Sequence, residues 1–204
     1  MRIGQLLLVS APSGAGKTSL VKAALARDER LVASVSHTTR ALRGDEVDGV
    51  NYHFVSDQEF DNMISQQAFL EHAQVFDKQY GTAKARVEEL RAQGKDVILE
   101  IDWQGADQVR QHTPDAVSIF ILPPSMQILQ ERLQSRAQDS ATAISRRLDE
   151  AQLEMSQAPR YQYIVVNDEF DVALADILAI FRAVRLSSAT QIKGHPAVQT
   201  ILSA

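Results

Sequence analysis

Four short apolar runs punctuate the 204-residue chain: QLLLVS (5–10), DVILEI (96–101), AVSIFIL (116–122) and YIVVN (163–167). Their apolar residues are consecutive, the pattern of strands covered on both faces by helices, whereas half-exposed antiparallel strands would alternate. A weaker run, LVASVSH (31–37), predicts a fifth strand. Between these runs, residues 17–27, 84–93, 104–112, 125–137, 141–157 and 170–185 place apolar side chains at helical spacing. Strand alternating with helix predicts an α/β fold, a parallel sheet covered by helices, with ligands at the C-terminal strand ends.

Two segments break that rhythm. Residues 34–83 are rich in turn and aromatic residues and contain one short helix opened by a capping box, Ser56 to Glu59; they predict an inserted lobe. Residues 132–147 (RLQSRAQDSATAISRR) are polar and poor in large apolar residues, which suits a mobile flap. The remainder, 1–33, 84–131 and 148–204, is expected to form one discontinuous core domain, and the tail after Arg185, with little periodicity, to be peripheral or partly disordered.

Composition narrows the chemistry. A formal net charge of −5 argues against a nucleic-acid or anionic-membrane binder held by a global positive field. With no cysteine there is no disulfide, thiolate metal site or thiol nucleophile, and the five scattered histidines lack the paired spacing of zinc sites. No run approaches the roughly 18 apolar residues of a membrane span, and the N-terminus leads straight into a strand, so a cytoplasmic protein is expected. Oligomeric state is not readable from these features.

The stretch APSGAGKTS (11–19) follows the first apolar run and opens the first helix. It fits the phosphate-loop pattern at Gly16, Lys17 and Thr18, with Ala11 where the first glycine of the pattern stands. Gly14 and Gly16 would let main-chain N–H groups turn inward around phosphate oxygens, with the helix N-terminus adding partial positive charge. Ala11 needs only ordinary backbone. Lys17 would reach the outer phosphates, and the Thr18 hydroxyl would ligate Mg²⁺. Such a loop alone does not separate ATPases, GTPases and small-molecule kinases.

The segments VSHTTRALRGDEVDGVNYHF, FLEHAQVFDKQYGT and ILEIDWQGA decide among them, because in this order, over about residues 5–185, the chain resembles a guanylate kinase. The resemblance implies a P-loop NTPase-type sheet with a GMP-binding lobe at 34–83 and a lid at 132–147, transferring the γ-phosphoryl group of ATP to GMP, and to dGMP as well, in purine nucleotide metabolism and GMP recycling. It implies ATP binding by Ala11, Pro12, Ser13, Gly14, Ala15, Gly16, Lys17 and Thr18, with Asn167 and Asp168 beside the adenine. It assigns GMP to Ser36, Arg40, Arg43, Tyr52, Glu71, Tyr80, Thr82 and Asp102, and catalysis to Lys17, Arg132, Arg136 and Arg147. Magnesium would be held by Thr18 and by Glu100, directly or through a water, Glu100 standing where many relatives have Asp.

These residue types suit the chemistry. Guanine's pairing edge offers N1–H and N2–H₂ donors beside an O6 acceptor, so a site selecting it needs a carboxylate (Glu71, with Asp102 near the amino edge) and hydroxyls (Ser36, Thr82). Arg40 and Arg43 with Tyr52 and Tyr80 supply the paired bonds that grip a phosphate. The acceptor phosphate is itself largely ionised at neutral pH, since its second pKa is about 6, so no general base is required. Another nucleoside monophosphate kinase, or a guanylate-kinase-like interaction module without catalysis, remains an alternative at this stage; singly, Glu71 reads equally as a solvated carboxylate, and Thr82 and Asp102 as helix caps. Trp103, the sole tryptophan, is assigned to packing.

Overall fold

A computed structural model describes residues 3–75, 77–134 and 141–203, with main chain alone at 141–144. Five strands, β1 (Leu6–Ser10), β2 (Leu31–Ala33), β7 (Asp96–Glu100), β8 (Val117–Leu122) and β9 (Tyr163–Val166), form a sheet in the order β2-β7-β1-β8-β9. Every pairing in it is parallel. The four apolar runs therefore form strands, while the weaker run joins this sheet over its first three residues and its last, His37, belongs to the sheet of the lobe. After a bond from the Ser34 N–H to Ile98 O its main chain leaves for the lobe.

The consecutive apolar residues of the central strands serve two cores at once, because successive side chains point to opposite faces. Leu7, Val9, Ile98, Ile119, Ile121 and Val165 pack on one face against α1 (Lys17–Arg27) and α7 (Phe170–Leu186). Leu6, Leu8, Val97, Leu99 and Phe120 pack on the other against α3 (Lys84–Ala92), α4 (Trp103–His112) and Tyr161. At about 25 cal/mol per Å² of apolar surface removed from water, side chains of this size each contribute on the order of 1.5–3 kcal/mol, so both faces hold the sheet.

A second, four-stranded sheet has the order β4-β3-β6-β5, from β3 (His37–Thr38), β4 (His53–Phe54), β5 (Phe69–Val75) and β6 (Lys78–Ala83). β5 and β6 are antiparallel, and the β5 register shifts between Phe69 and Glu71. Helix α2 (Asp57–Ser65) opens with the expected capping box: the Ser56 hydroxyl accepts from the Glu59 N–H, and the Glu59 carboxylate accepts from the Ser56 N–H. Its buried Phe60 stacks on Phe69 with ring centroids 4.5 Å apart.

Helices α5 (Met126–Gln134) and α6 (Ala141–Met155) flank the expected flap and pack on each other through Leu129, Leu133 and Ala151. The flap's own centre, with Arg136, lies outside the described residues. The tail is more ordered than its weak periodicity suggests. α8 (Ser188–Gly194), capped by the Ser187 hydroxyl, and α9 (Pro196–Leu202) follow α7, and neither buries a residue. The tail is peripheral, but it is helical.

Arg185 ties the last long helix to the bottom of the sheet. It is buried, its Nε donates to Asp96 Oδ2 at 2.5 Å, and it also pairs with Asp28 at the end of α1. Asp96 Oδ1 in turn accepts from the Gln5 N–H at 2.8 Å.

Candidate active site

The turn between β1 and α1 has the shape that its glycines allow. Gly14 and Gly16 take left-handed backbone, φ 91° and 93°, and Gly16 is the N-cap of α1. Gln67 is the one non-glycine with positive φ among the described residues, so Ala11 sits in ordinary backbone. The first turn of α1 carries no acidic residue and begins at Lys17, leaving the positive end of the helix unopposed from within.

Asn167, at the end of β9, braces this turn from below. Its Nδ2 donates to Ala15 O at 2.7 Å, a buried bond spanning 152 positions of sequence. A Cβ on Gly16 would come inside 3.0 Å of that same Nδ2, so the third residue of GAG must be glycine for packing as well as for backbone reasons. Asn167, expected beside the adenine, thus also has a place under the loop through its amide Nδ2. Arg132 Nη2 donates to Asn167 O at 3.1 Å, which ties the flap-side arginine to the same strand end, and Asp168 beyond it is exposed.

A cleft of about 520 Å³ opens at the C-terminal strand ends. Ala11, Pro12, Ser13, Gly14, Gly16, Lys17 and Thr18 line one side, and Ser36, Tyr52, Glu71, Tyr80 and Asp102 line the other. Glu100 and Arg147 border it too, and so does Trp103, half-buried, which the packing assignment had not placed there. Ala15, Arg40, Arg43, Thr82, Arg132, Asn167 and Asp168 are not part of this lining.

Thr18 Oγ1 donates to Glu100 Oε2 at 3.1 Å at the mouth of the loop, bringing together the two oxygen-bearing side chains expected to serve Mg²⁺. One carboxylate with one hydroxyl suits a small, hard cation that keeps waters and takes its other ligands from substrate phosphates. Among the described residues no group of three or more His, Cys, Asp or Glu forms an all-protein metal cage.

Glu71 is buried on β5, and its Oε1 accepts from Thr82 Oγ1 at 2.5 Å. Burial, above all, pushes its carboxyl up to about 7, with Asp102 adding to the rise and the Thr82 hydroxyl and Lys17 opposing it. Asp102 caps α4, its Oδ1 accepting from the Gly105 N–H at 2.8 Å, and it lines the cleft as well. Arg40, also buried, makes a two-pronged bond to Glu46 at 2.7 and 2.9 Å and lies 5.3 Å from the Tyr52 ring centroid. Glu46, invisible to motif reasoning, thereby fixes the arginine, and it also accepts from the Arg43 N–H at 2.9 Å. Burial, then the neighbouring Tyr80, raises the Tyr52 phenol and keeps it a donor.

The guanylate kinase family model matches residues 3–184. The chain belongs to the guanylate kinase family. It is 57% identical over 191 residues to the guanylate kinase of Hahella chejuensis, covering 94% of this chain and 92% of that one. It is 51% identical over 195 residues to that of Thiobacillus denitrificans, covering 96% and 93%. The crystal structure of guanylate kinase from Anaplasma phagocytophilum superposes with a TM-score of 0.81 at 31% identity, covering 100% of this chain and 95% of that one.

In this guanylate kinase family member the third wall of the cleft is α6, through Arg147, Glu150, Ala151, Leu153 and Glu154. Arg147 was legible in sequence as a flap arginine; Glu154 was not, because a carboxylate on an amphipathic helix carries no motif. Burial raises the Glu154 carboxyl to about 7, opposed by Lys17 and the Ser13 main chain and reinforced by Asp102 and Glu150. With Glu71, Glu100, Asp102 and Glu150 it makes five acidic side chains along the one cleft.

Proposed function

We propose that this chain transfers the γ-phosphoryl group of ATP to GMP, and to dGMP, giving ADP and GDP. The observation that carries this reading is a single cleft bounded by Lys17 on its phosphate loop and by the buried Glu71 facing it. In the reaction, the loop N–H groups and Lys17 hold the donor phosphates, and Glu71 with Asp102 accepts the guanine N1–H and N2–H₂ groups. Ser36 and Thr82 complete the base site. Tyr52, Tyr80, Arg43 and the Glu46-anchored Arg40 position the acceptor phosphate.

Thr18 and Glu100 would hold Mg²⁺, which when bound supplies neutralisation of phosphate charge. The acceptor phosphate oxygen attacks in line, so the chain's task is alignment and charge stabilisation, to which Arg132, Arg136 and Arg147 contribute as residues 132–147 close and exclude water. Asn167 and Asp168 border the adenine of ATP, and Asn167 also braces the loop. The reading divides the chain as core (1–33, 84–131, 148–204), GMP lobe (34–83) and lid (132–147), and sets it in the cytoplasm, recycling GMP. No described helix is long and apolar enough to cross a membrane.

The test is ADP release from ATP with GMP, dGMP, AMP or no acceptor, with and without Mg²⁺. Release should require Mg²⁺ and GMP or dGMP, and Lys17→Ala should lower kcat by about 10²–10³-fold. AMP turnover matching GMP, or full activity in Lys17→Ala, would refute the reading.

A further inference from the structure

We infer that helix α4 sets the position of the guanine-reading carboxylates, with Gln108 as a positioning residue and Gly105 as a specificity-determining residue for GMP; this rests on the activity proposed above. β5 is an edge strand of the four-stranded sheet, so among the described residues no neighbouring strand takes up its main chain on the outer side. Gln108 does so at one residue: its Oε1 accepts from the His72 N–H at 3.1 Å, and its Nε2 donates to His72 O at 2.7 Å. Only a primary amide of this length offers an acceptor and a donor side by side for that task. His72 directly follows Glu71.

The bond matters here because the β5–β6 ladder is irregular between Phe69 and Glu71. A register shift beside Glu71 leaves the ladder less able to fix where its carboxyl stands, since a bulge redirects the local strand. Gln108 pins the next residue from outside the sheet.

Gly105 works from the same helix. A Cβ there would come inside 3.0 Å of Glu71 Oε2 and to 3.4 Å from Asp102 Oδ1. The missing side chain is therefore the space that Glu71 occupies, and the Gly105 N–H at the same time fixes Asp102 at 2.8 Å. Positions 102, 105 and 108, three apart, share one face of α4. One rigid turn-and-a-half thus links the capping carboxylate, the room for the second carboxylate and the clamp on its strand, so the spacing of the two acceptors is held by α4. Guanine's amino group rewards that spacing; a base lacking it does not.

The experiment compares GMP with inosine monophosphate, which lacks the 2-amino group, in the full-length wild type and in Gln108→Leu, Gln108→Glu and Gly105→Ala. Gln108→Leu is expected to lower kcat/KM for GMP roughly tenfold and for inosine monophosphate about twofold, with KM for ATP within about twofold, a loss of the size that one misplaced buried polar contact gives. Gln108→Glu, which keeps the acceptor for the His72 N–H, should fall between wild type and Gln108→Leu. Gly105→Ala should lose the preference furthest, and if it does not fold the two Gln108 variants still decide. An unchanged preference for GMP in Gln108→Leu, with KM for both nucleotides rising together or only thermal stability falling, would overturn the inference while leaving the activity intact. A wild type that does not phosphorylate GMP would instead remove the activity beneath it.

Discussion

Thr82 Oγ1 donates to Glu71 Oε1 at 2.5 Å across the β5–β6 pair, inside a pocket wall where Glu71 is only 4% exposed. The hydroxyl occupies one carboxylate oxygen and leaves the other directed toward Gly105 and the cleft. A buried acid so placed is a poor anion until something with hydrogen-bond donors arrives. Guanine's edge carries such donors.

The first prediction concerns pH. Burial raises Glu71 from 4.5 to about 7, so the folded chain binds this proton more tightly than the unfolded one. The stability contributed by this group is fully present below the unfolded value and is lost as pH rises through the folded one. Glu71→Gln, permanently neutral, should lack this decline and gain on the order of 2–3 kcal/mol over wild type between roughly pH 5 and 8, read by urea denaturation across that range. On the proposed reading GMP takes the ionised form, so KM for GMP should rise in wild type below about pH 7, beyond the part due to the substrate's own phosphate, which the variant reports. The variant itself should show KM for GMP raised about 10–100-fold, with KM for ATP changed less than about twofold.

A second prediction separates the loop from its brace. Asn167→Ala removes the bond to Ala15 O and leaves that carbonyl buried, at a cost of about 1–3 kcal/mol. The loop should then wander, so KM for ATP should rise several-fold while KM for GMP stays near wild type. Steady-state kinetics with each substrate varied, beside chemical denaturation, would show it. Equal loss toward both nucleotides would mean that Asn167 only supports the fold.

The third prediction is of stability alone. Arg185, 6% exposed, sits between Asp96, 1% exposed, and Asp28, at the sheet end away from the cleft. Arg185→Leu takes the cation from beside a buried carboxylate and should cost about 3–5 kcal/mol, with both KM values unchanged in the cold. Adding Asp96→Asn should recover part of the loss, the non-additivity being the signature of a direct pair.

The core was legible because its signal is dense: QLLLVS and VSIFIL are apolar at every buried position but Ser10 and Ser118, the pattern of strands covered twice. The lobe was not legible in the same way. β3 and β4 are two residues each, too short for any period, and their place is set by pairing with partners far along the chain. Lys17, Thr18 and Glu71 carry recognisable spacing. Glu46, Gln108 and Glu154 do not, since what they do depends on which element faces them in space. The bond from Asn167 to Ala15 O was not legible either, because sequence marks the end of a strand but not which loop packs against it.

The bond from Asn167 to Ala15 also bears on synthesis. A ribosome releases the glycine-rich turn first, yet the amide that steadies it follows 152 residues later, when β9 can at last join the sheet. Until then the nascent chain has a glycine-rich helix end without its floor, so the final shape of the turn waits on the closing strand.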